Sequence, residues 1–280
     1  MTDSTIPPLS PYDLGRTPAT ACRADQRFSY CLYVPTTGEA SDRRILVAVH
    51  GTERGNQAMR DLFSDLAEAL NLIILAPLFP CGIDEPYDRD NYKYIEYRGI
   101  RFDQVLLSMI DEVAARYGVD AGRFSLFGFS GGAHFVHRFY YLHPQRLSAL
   151  SVCAPGSPTL LDSHKPWWVG VADMEARFGR PLDPPALRAV PVHLAVGDAD
   201  TDTWEITHKP GGAHWMEGAN GAGATRIERL KALEASLSAA GVRVRMDILP
   251  GVRHQRDALA QSAIAFFTQA LGAKDASTPC

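Results

Sequence analysis

Short apolar runs alternate along this chain with longer segments in which apolar residues recur every three or four positions. The apolar runs, which predict strands, lie at 28–34, 45–50, 72–77, 124–129, 150–155, 192–197 and 242–249. Several are apolar on both faces, which is typical of strands in a covered parallel sheet. The segments of helical period lie at 56–70, 102–117, 132–142, 225–240 and 256–271. This alternation predicts an α/β fold, with βαβ units around a mostly parallel central sheet and helices on both of its faces.

The same pattern predicts one folded domain at 28–272, preceded by an N-terminal arm at 1–27 and followed by a flexible tail at 273–280. Three connections inside the domain are longer than minimal turns require. They lie at 78–101, 156–190 and 198–224. Each follows a predicted strand, so in a parallel sheet all three open at the carboxyl edge, where ligands of open α/β sheets bind.

Composition excludes several classes of function. The chain of 280 residues is 46% hydrophobic and 21% charged, as in ordinary globular proteins, and its net charge is −4. Because it has no basic block, we expect neither nucleic acid nor a membrane surface as a partner. No apolar run approaches the roughly 18 residues of a membrane span. The start resembles no signal peptide and the five cysteines are scattered, so we expect a cytoplasmic location.

The stretch LFGFSGGAHF places a serine among glycines, between a predicted strand and a predicted helix. Residues 128–132 fit the pattern G-x-S-x-G, in which a tight turn projects the serine hydroxyl above the sheet edge at a helix N-terminus. Larger side chains beside Ser130 would collide with the neighbouring strand and helix. The alternative is a helix N-cap serine in a glycine turn. The strand-turn-helix context favours a nucleophile.

A serine nucleophile needs a base to take its proton and a carboxylate to orient that base. In this architecture the acid and the histidine follow later strands, in that order. The stretch VHLAVGDADTD ends one predicted strand with Asp198, Asp200 and Asp202, and DILPGVRHQ ends the last one with His254. Among the nine histidines, His254 alone follows the last strand in the right order. The alternative is an exposed loop histidine.

The stretches VAVHGT, GFSGG, VGDAD and PGVRH make residues 28–272 similar to the α/β-hydrolase fold of serine hydrolases. The resemblance implies an esterase-like enzyme with Ser130, His254 and an aspartate as a catalytic triad. It favours Asp200, three residues after the glycine that ends its strand, and Asp198 and Asp202 remain alternatives. It also implies a small cap insertion after the sixth strand candidate, at 156–190, and a long loop after the acid strand.

The resemblance also implies an oxyanion hole, because acyl transfer needs donors for the developing negative charge. One donor is expected to be the amide of Gly131, next after the serine, and the other the amide of Thr52, next after the residues HG. The family's HGGG variant is absent here. The alternative is that Gly51 and Gly55 only form the turn into the following helix.

Three residues are expected to contact the substrate. His134 lies one turn after the serine, Tyr92 in the acidic, tyrosine-rich loop 78–101, and Trp204 in the loop 198–224. The polar character of the first loop favours a polar or partly charged small molecule. The alternatives are that the tyrosines pack sideways on the sheet and that the tryptophans attach long loops to the body of the domain.

Three functions are compatible with these residues. The leading hypothesis is hydrolysis of an ester through an acyl-enzyme. The second keeps the same residues but cleaves an amide, a peptide-like bond or a lactone. The third is a ligand-binding protein of this fold without catalysis. No P-loop, dinucleotide fingerprint, HExxH or EF-hand pattern occurs, so we expect no cofactor and no metal. The sequence leaves the oligomeric state open.

Overall fold

The computed structural model describes residues 8–272. The expected tail at 273–280 and the first seven residues of the expected arm lie outside the described residues. The strands are β1 (Gly15–Arg16), β2 (Thr20–Ala21), β3 (Ser29–Val34), β4 (Arg44–Val49), β5 (Leu72–Leu78), β6 (Glu96–Tyr97), β7 (Ile100–Arg101), β8 (Phe124–Phe129), β9 (Leu147–Cys153), β10 (Val192–Gly197) and β11 (Val244–Leu249). The helices are α1 (Asn56–Leu62), α2 (Ser64–Leu70), α3 (Phe102–Tyr117), α4 (Gly131–Leu142), α5 (Met174–Phe178), α6 (Pro184–Ala189), α7 (Arg226–Ala239) and α8 (Arg256–Gly272).

A nine-stranded sheet organises the described part of the chain. Its strand order is β1-β3-β5-β4-β8-β9-β10-β11, and β2 also pairs with β3. From β5 to β11 the neighbouring strands run parallel, whereas β3 is antiparallel to β5 and to both short strands. The predicted α/β class with a mostly parallel sheet is confirmed.

Helices cover both faces of this sheet. Along β8, Phe124 contacts Phe139 of α4, whereas Phe127 contacts Phe63 between α1 and α2. Side chains three positions apart on a strand point to opposite faces, so these helices lie on opposite sides. Both faces are therefore buried, and every residue of β8 is buried. This burial explains why the strand is mostly apolar instead of alternating, with Ser125 as its polar residue.

Two elements differ from the sequence pattern. The single helix expected at 56–70 is interrupted at Phe63, whose backbone (φ −105°, ψ 7°) ends α1 and begins α2. The fully buried Phe63 ring packs between Phe127 and Phe267, and this tertiary packing accompanies the break. The expected arm at 1–27 contributes β1 and β2 to the sheet. A strand of two residues is too short to produce a recognisable alternation.

The long connections all leave the carboxyl ends of strands. The segment 156–190 follows β9, which is the fifth of the seven predicted strands rather than the sixth, and it contains α5 and α6. The segment 198–224 follows β10, and 78–101 follows β5 and contains the β6–β7 hairpin. The loops that carry the candidate site therefore meet at one edge of the sheet.

Within residues 8–272, no helix is long and apolar enough to cross a membrane.

Candidate active site

Ser130 lies in a strained turn between β8 and α4. Its backbone adopts φ 54° and ψ −115°, a region that a residue with a Cβ rarely occupies. The amide of Ser130 donates to the carbonyl oxygen of Cys153 on β9, at 2.9 Å, which anchors the turn to the sheet. Strain of this kind is retained where the surrounding structure determines the conformation, and functional sites are a common location.

The glycines on either side of the serine are required by contact distances. A Cβ on Gly128 would lie 2.5 Å from the carbonyl oxygen of Gly132. A Cβ on Gly132 would collide with the carbonyl oxygen of Val49 on β4. Because backbone atoms cannot move aside, only glycine permits this close approach of strand and helix. The G-x-S-x-G spacing thus has a steric cause in the fold.

Ser130, His254 and Asp200, here called the candidate triad, form a continuous hydrogen-bonded row. His254 Nε2 is 2.9 Å from Ser130 Oγ, and His254 Nδ1 is 2.7 Å from Asp200 Oδ2. An ionised carboxylate can only accept, so the Nδ1 proton is donated to Asp200 and Nε2 is left to accept the proton of the serine hydroxyl. The imidazole also stacks on Phe129, with ring centroids 4.7 Å apart.

The other two aspartates of the loop after β10 have different partners. Asp198 Oδ1 accepts from the amide of Gly251 at 2.7 Å, and Asp202 Oδ2 lies 3.7 Å from Arg253 at the surface. Asp200, in contrast, is 1% exposed. Burial raises the pKa of the Asp200 carboxyl, but the hydrogen bonds and electrostatic interactions with His254 and Arg226 together outweigh it, and the pKa falls below its ordinary value. Asp200 is therefore ionised at neutral pH.

Two backbone amides lie together beside Ser130. A Cβ placed on Gly131 would be only 3.1 Å from the amide nitrogen of Thr52, so the two residues are in close contact. Across residues 8–272, neither amide donates a hydrogen bond to another group. Gly131 is also the first residue of α4, where the helix dipole favours negative charge. These amides are suitably placed to bind an oxyanion.

An open cleft of about 780 Å³ gives access to Ser130 and His254. Its walls combine apolar side chains with charged and polar ones. The apolar group is Met59, Phe129 and Trp204, and the polar group includes Glu53, Glu205, Gln255, Arg256 and Asp257. Trp204 is 79% exposed and lines the cleft, and its expected contact with substrate stays a prediction. Acidic side chains outnumber basic ones in these walls.

His134 and Tyr92, the other two residues expected to contact substrate, do not line this cleft. His134 is buried, and its Nε2 accepts hydrogen bonds from the amides of Gly156 (2.7 Å) and Ser157 (3.1 Å). Tyr92 is fully buried, and its hydroxyl donates to the carbonyl oxygen of His50 at 2.9 Å. Both side chains satisfy buried backbone groups behind the site, a task that no periodicity reveals.

Sequence reasoning did not single out Arg226, although it contacts the candidate triad. Its Nη1 donates to Asp200 Oδ1 at 3.1 Å, and its Nη2 donates to Glu205 Oε2 at 2.6 Å. Arg226 is the first residue of α7, directly after the capping residue Thr225. A cation at a helix N-terminus opposes the helix dipole, and this unfavourable placement was the available signal.

Comparison with solved structures shows which fold the chain shares. No family model matches the sequence, and no curated protein is significantly similar to it. Among solved structures, poly(aspartic acid) hydrolase-1 from Sphingomonas sp. KT-1 is 23% identical with a TM-score of 0.69, over 85% of this chain and 92% of that one. LpqC, a poly(3-hydroxybutyrate) depolymerase from Bordetella parapertussis, is 21% identical with a TM-score of 0.68, over 90% and 87%.

A third similar structure is an S-formylglutathione hydrolase from Agrobacterium tumefaciens, 15% identical with a TM-score of 0.58, over 88% of this chain and 89% of that one. Identities this low establish the fold and no more. The chain therefore has the α/β-hydrolase fold expected from its motifs. What the site does must be argued from the geometry of its own residues.

Proposed function

We propose that this protein is a serine hydrolase that cleaves an ester of a small, polar substrate through an acyl-enzyme intermediate. The observation that carries the proposal is the 2.9 Å contact between His254 Nε2 and Ser130 Oγ, two side chains that line an open cleft. A base within hydrogen-bond distance of a hydroxyl, itself oriented by a carboxylate, is the requirement for an activated serine.

In the acylation step, Ser130 Oγ attacks the carbonyl carbon of the ester while His254 Nε2 takes the hydroxyl proton. The carbonyl π electrons move to oxygen, and the amides of Thr52 and Gly131 donate to that oxyanion. Asp200 keeps the imidazole in the required tautomer and stabilises the imidazolium by its charge. The tetrahedral intermediate then collapses, the bond to the leaving oxygen breaks, and His254 donates its proton to that oxygen.

Deacylation repeats these roles with water. His254 takes a proton from a water molecule as the water oxygen attacks the acyl carbon. The second tetrahedral intermediate expels Ser130 Oγ, which recovers its proton from the imidazolium. The acid product leaves and the enzyme returns to its starting state, so each residue acts without net consumption.

The walls of the cleft support a polar substrate. Glu53 and Gln255 are exposed there, beside the apolar surfaces of Met59 and Trp204. A ligand with both polar groups and an apolar face suits such walls. Two of the similar folds are named for hydrolysis of poly(aspartic acid) and depolymerisation of poly(3-hydroxybutyrate), which supports hydrolysis as the reaction class.

A fluorophosphonate probe and 4-nitrophenyl acetate together test the proposal. We expect the purified protein to be labelled on Ser130 and to hydrolyse the ester, and the folded Ser130→Ala variant to do neither. Full turnover by that variant would overturn the proposal. Folded wild-type protein that is neither labelled nor active would favour a non-catalytic binding protein.

The bond that is cleaved requires a separate comparison. An ester and its matched amide, carrying the same acyl group, are offered to the wild-type protein. We expect a large preference for the ester, because its leaving group departs more easily. A comparable rate on the amide would support an amidase, and a faster rate on a lactone of the same acid would support a lactonase.

The proposal includes the cytoplasmic location expected from the cysteine pattern. Four described cysteines are free thiols, and Cys22, Cys31 and Cys153 among them are buried. Free thiols suit a reducing compartment. Fractionation of cells that express the native gene, followed by immunodetection, checks this part, and recovery outside the cytoplasm would contradict it.

A further inference from the structure

A buried arginine joins the acid of the candidate triad to the wall of the cleft. Arg226 is 3% exposed and binds Asp200 with one terminal nitrogen and Glu205 with the other. Its Nε is buried with no hydrogen-bond partner among residues 8–272. The two carboxylates are thus its ionic partners, and the guanidinium has little freedom to move away from them.

Glu205 extends this row of charges back to solvent. Its side chain is 37% exposed and lines the same cleft as Ser130 and His254. Polar and charged groups therefore follow one another from the hydroxyl of Ser130, through the imidazole and Asp200, to Arg226 and Glu205. Both ends of the row face the space where substrate would bind.

The place of Arg226 in the fold indicates that these carboxylates retain it. As the first residue of α7 it lies where the helix dipole is unfavourable for a cation, and burial adds a desolvation penalty. Charged or titratable groups within its electrostatic reach are His134 on α4, Arg229 one turn along α7, and the carboxylates with their partner His254. Among residues 8–272, only Asp200 and Glu205 supply negative charge in direct contact with Arg226.

We propose that Arg226 is a positioning residue that fixes the Asp200 carboxylate, and that Glu205 sets how strongly Arg226 offsets the negative charge of Asp200. This inference rests on the proposed hydrolase function. Asp200 Oδ1 is held by Arg226 and Oδ2 by His254, so the carboxylate plane is defined from both sides. The positive charge of Arg226 opposes formation of the imidazolium, and the negative charge of Glu205 relieves that opposition.

The proposal predicts opposite effects from two substitutions. Arg226→Met removes a positive charge, so His254 is protonated more readily and the acidic limb of the pH profile of kcat/KM moves to higher pH. Glu205→Gln removes a negative charge, so the limb moves to lower pH. Each displacement is expected to be about half a pH unit. A purely structural role would lower the rate without moving the limb in opposite directions.

The experiment measures kcat/KM for 4-nitrophenyl acetate between about pH 4.5 and about pH 8.5, together with the rate of fluorophosphonate labelling over the same range. We expect Arg226→Met to lose about ten- to hundredfold in kcat, since Asp200 is no longer held on one side. Arg226→Lys should recover part of this rate and restore the position of the limb. Glu205→Gln should change kcat by less than about tenfold.

Two matched controls separate the contact from general charge and general stability. Glu217→Gln removes an exposed carboxylate from the same loop as Glu205, at a position that does not line the cleft. Arg229→Lys alters a buried arginine of the same helix that binds the carbonyl oxygens of Gly156 and Ile206 instead of Asp200. Both variants should keep the wild-type position of the acidic limb, although Arg229→Lys should lower the melting temperature.

The outcomes distinguish this inference from the function on which it rests. If wild-type protein turns over and is labelled, but the limb stays in place in both Arg226→Met and Glu205→Gln, the inference is overturned and the hydrolase proposal stands. If wild-type protein is neither labelled nor active, the hydrolase proposal fails and the inference fails with it. If Arg226→Met does not fold, the direction of the shift in Glu205→Gln decides alone.

Discussion

The candidate triad has a counterpart inside the sheet with the same residue types. Ser151, His193 and Asp247 lie on the neighbouring strands β9, β10 and β11 and are here called the buried row. Ser151 Oγ is 2.8 Å from His193 Nδ1, and His193 Nε2 is 3.3 Å from Asp247 Oδ2. A hydroxyl, an imidazole and a carboxylate are thus in contact twice in one molecule.

The two arrangements differ in their place along the strands. Ser151 and His193 are completely buried within their strands, and His193 also stacks on Phe266, with ring centroids 5.1 Å apart. Burial lowers the pKa of His193 to about 4, so its imidazole is neutral at neutral pH. The candidate triad instead lies beyond the ends of its strands, on loops that border the open cleft.

The same kinds of contact therefore occur in two different surroundings. Ser130 has access to solvent, two free amides nearby and a backbone at φ 54°, and these features accompany the strand end. In the buried row the hydrogen-bonding capacity of the side chains is used to satisfy one another in the sheet. We infer that position at the carboxyl edge, rather than residue identity, separates the two.

Replacing the two serines gives the largest expected contrast. Ser130→Ala should lower kcat/KM for an activated ester by at least about 10⁴-fold while the fold is retained. Ser151→Ala should leave the rate within about threefold and lower the free energy of unfolding by about 1 kcal/mol, because one buried hydrogen bond is lost. Steady-state kinetics and urea unfolding check both. Equal losses of activity would remove the distinction between the two arrangements.

The aspartates provide the next contrast. Asp200→Asn should reduce kcat by about 10³- to 10⁴-fold, because an amide cannot hold the imidazole in the required tautomer. Asp247→Asn and Asp198→Asn should each reduce it by less than about tenfold, since neither carboxylate contacts His254. Kinetics on folded variants measures the ratio. A larger loss from Asp198→Asn than from Asp200→Asn would identify the other acid.

The backbone amides beside Ser130 provide a third contrast between the candidate triad and the buried row. A Cβ on Gly131 would lie 2.6 Å from Tyr92 Oη and 2.9 Å from Lys93 Cε, so Gly131→Ala must displace these side chains or the first turn of α4. We expect a loss of about 10²- to 10³-fold in kcat, with Ser130 still present and the protein still folded. Gly272→Ala, at the end of α8, where the glycine has open space around it and its backbone is outside the left-handed region, is the control for kinetics and folding.

Acid titration should reveal the buried row through stability. The pKa of His193 is about 4 in the folded state, below the value of about 6.5 in an unfolded chain, so the unfolded state binds a proton first as pH falls. Its contribution to stability is therefore present above pH 6.5 and is lost between about 6.5 and 4.

Replacing His193 tests whether this imidazole causes the loss of stability in acid. The free energy of unfolding of the wild-type protein should fall steeply over that range, and His193→Gln should reduce the fall by about 2 kcal/mol. His254→Gln, at the partly exposed imidazole of the candidate triad, is the matched comparison. The same slope in wild type and His193→Gln, measured by urea unfolding at several pH values, would contradict the assignment.

Much of the fold and part of the site followed from the sequence because their causes are local. A strand buried on both faces is mostly apolar instead of alternating, and a tight strand-to-helix turn needs glycine where backbone atoms meet, as at Gly128 and Gly132. The order of Ser130, Asp200 and His254 along the chain agrees with the strands whose ends meet at one edge. Periodicity and steric exclusion act over a few residues, so both are visible in one dimension.

Only the tertiary structure decided which distant groups meet. It buries Tyr92 and His134 behind the site, interrupts a helix at Phe63 and brings Arg226 against Asp200. These outcomes depend on how long loops fold over the sheet edge, and the energies of such contacts join residues far apart in the chain. A pattern read along the chain records what each segment prefers, whereas burial and pairing are properties of the assembled whole.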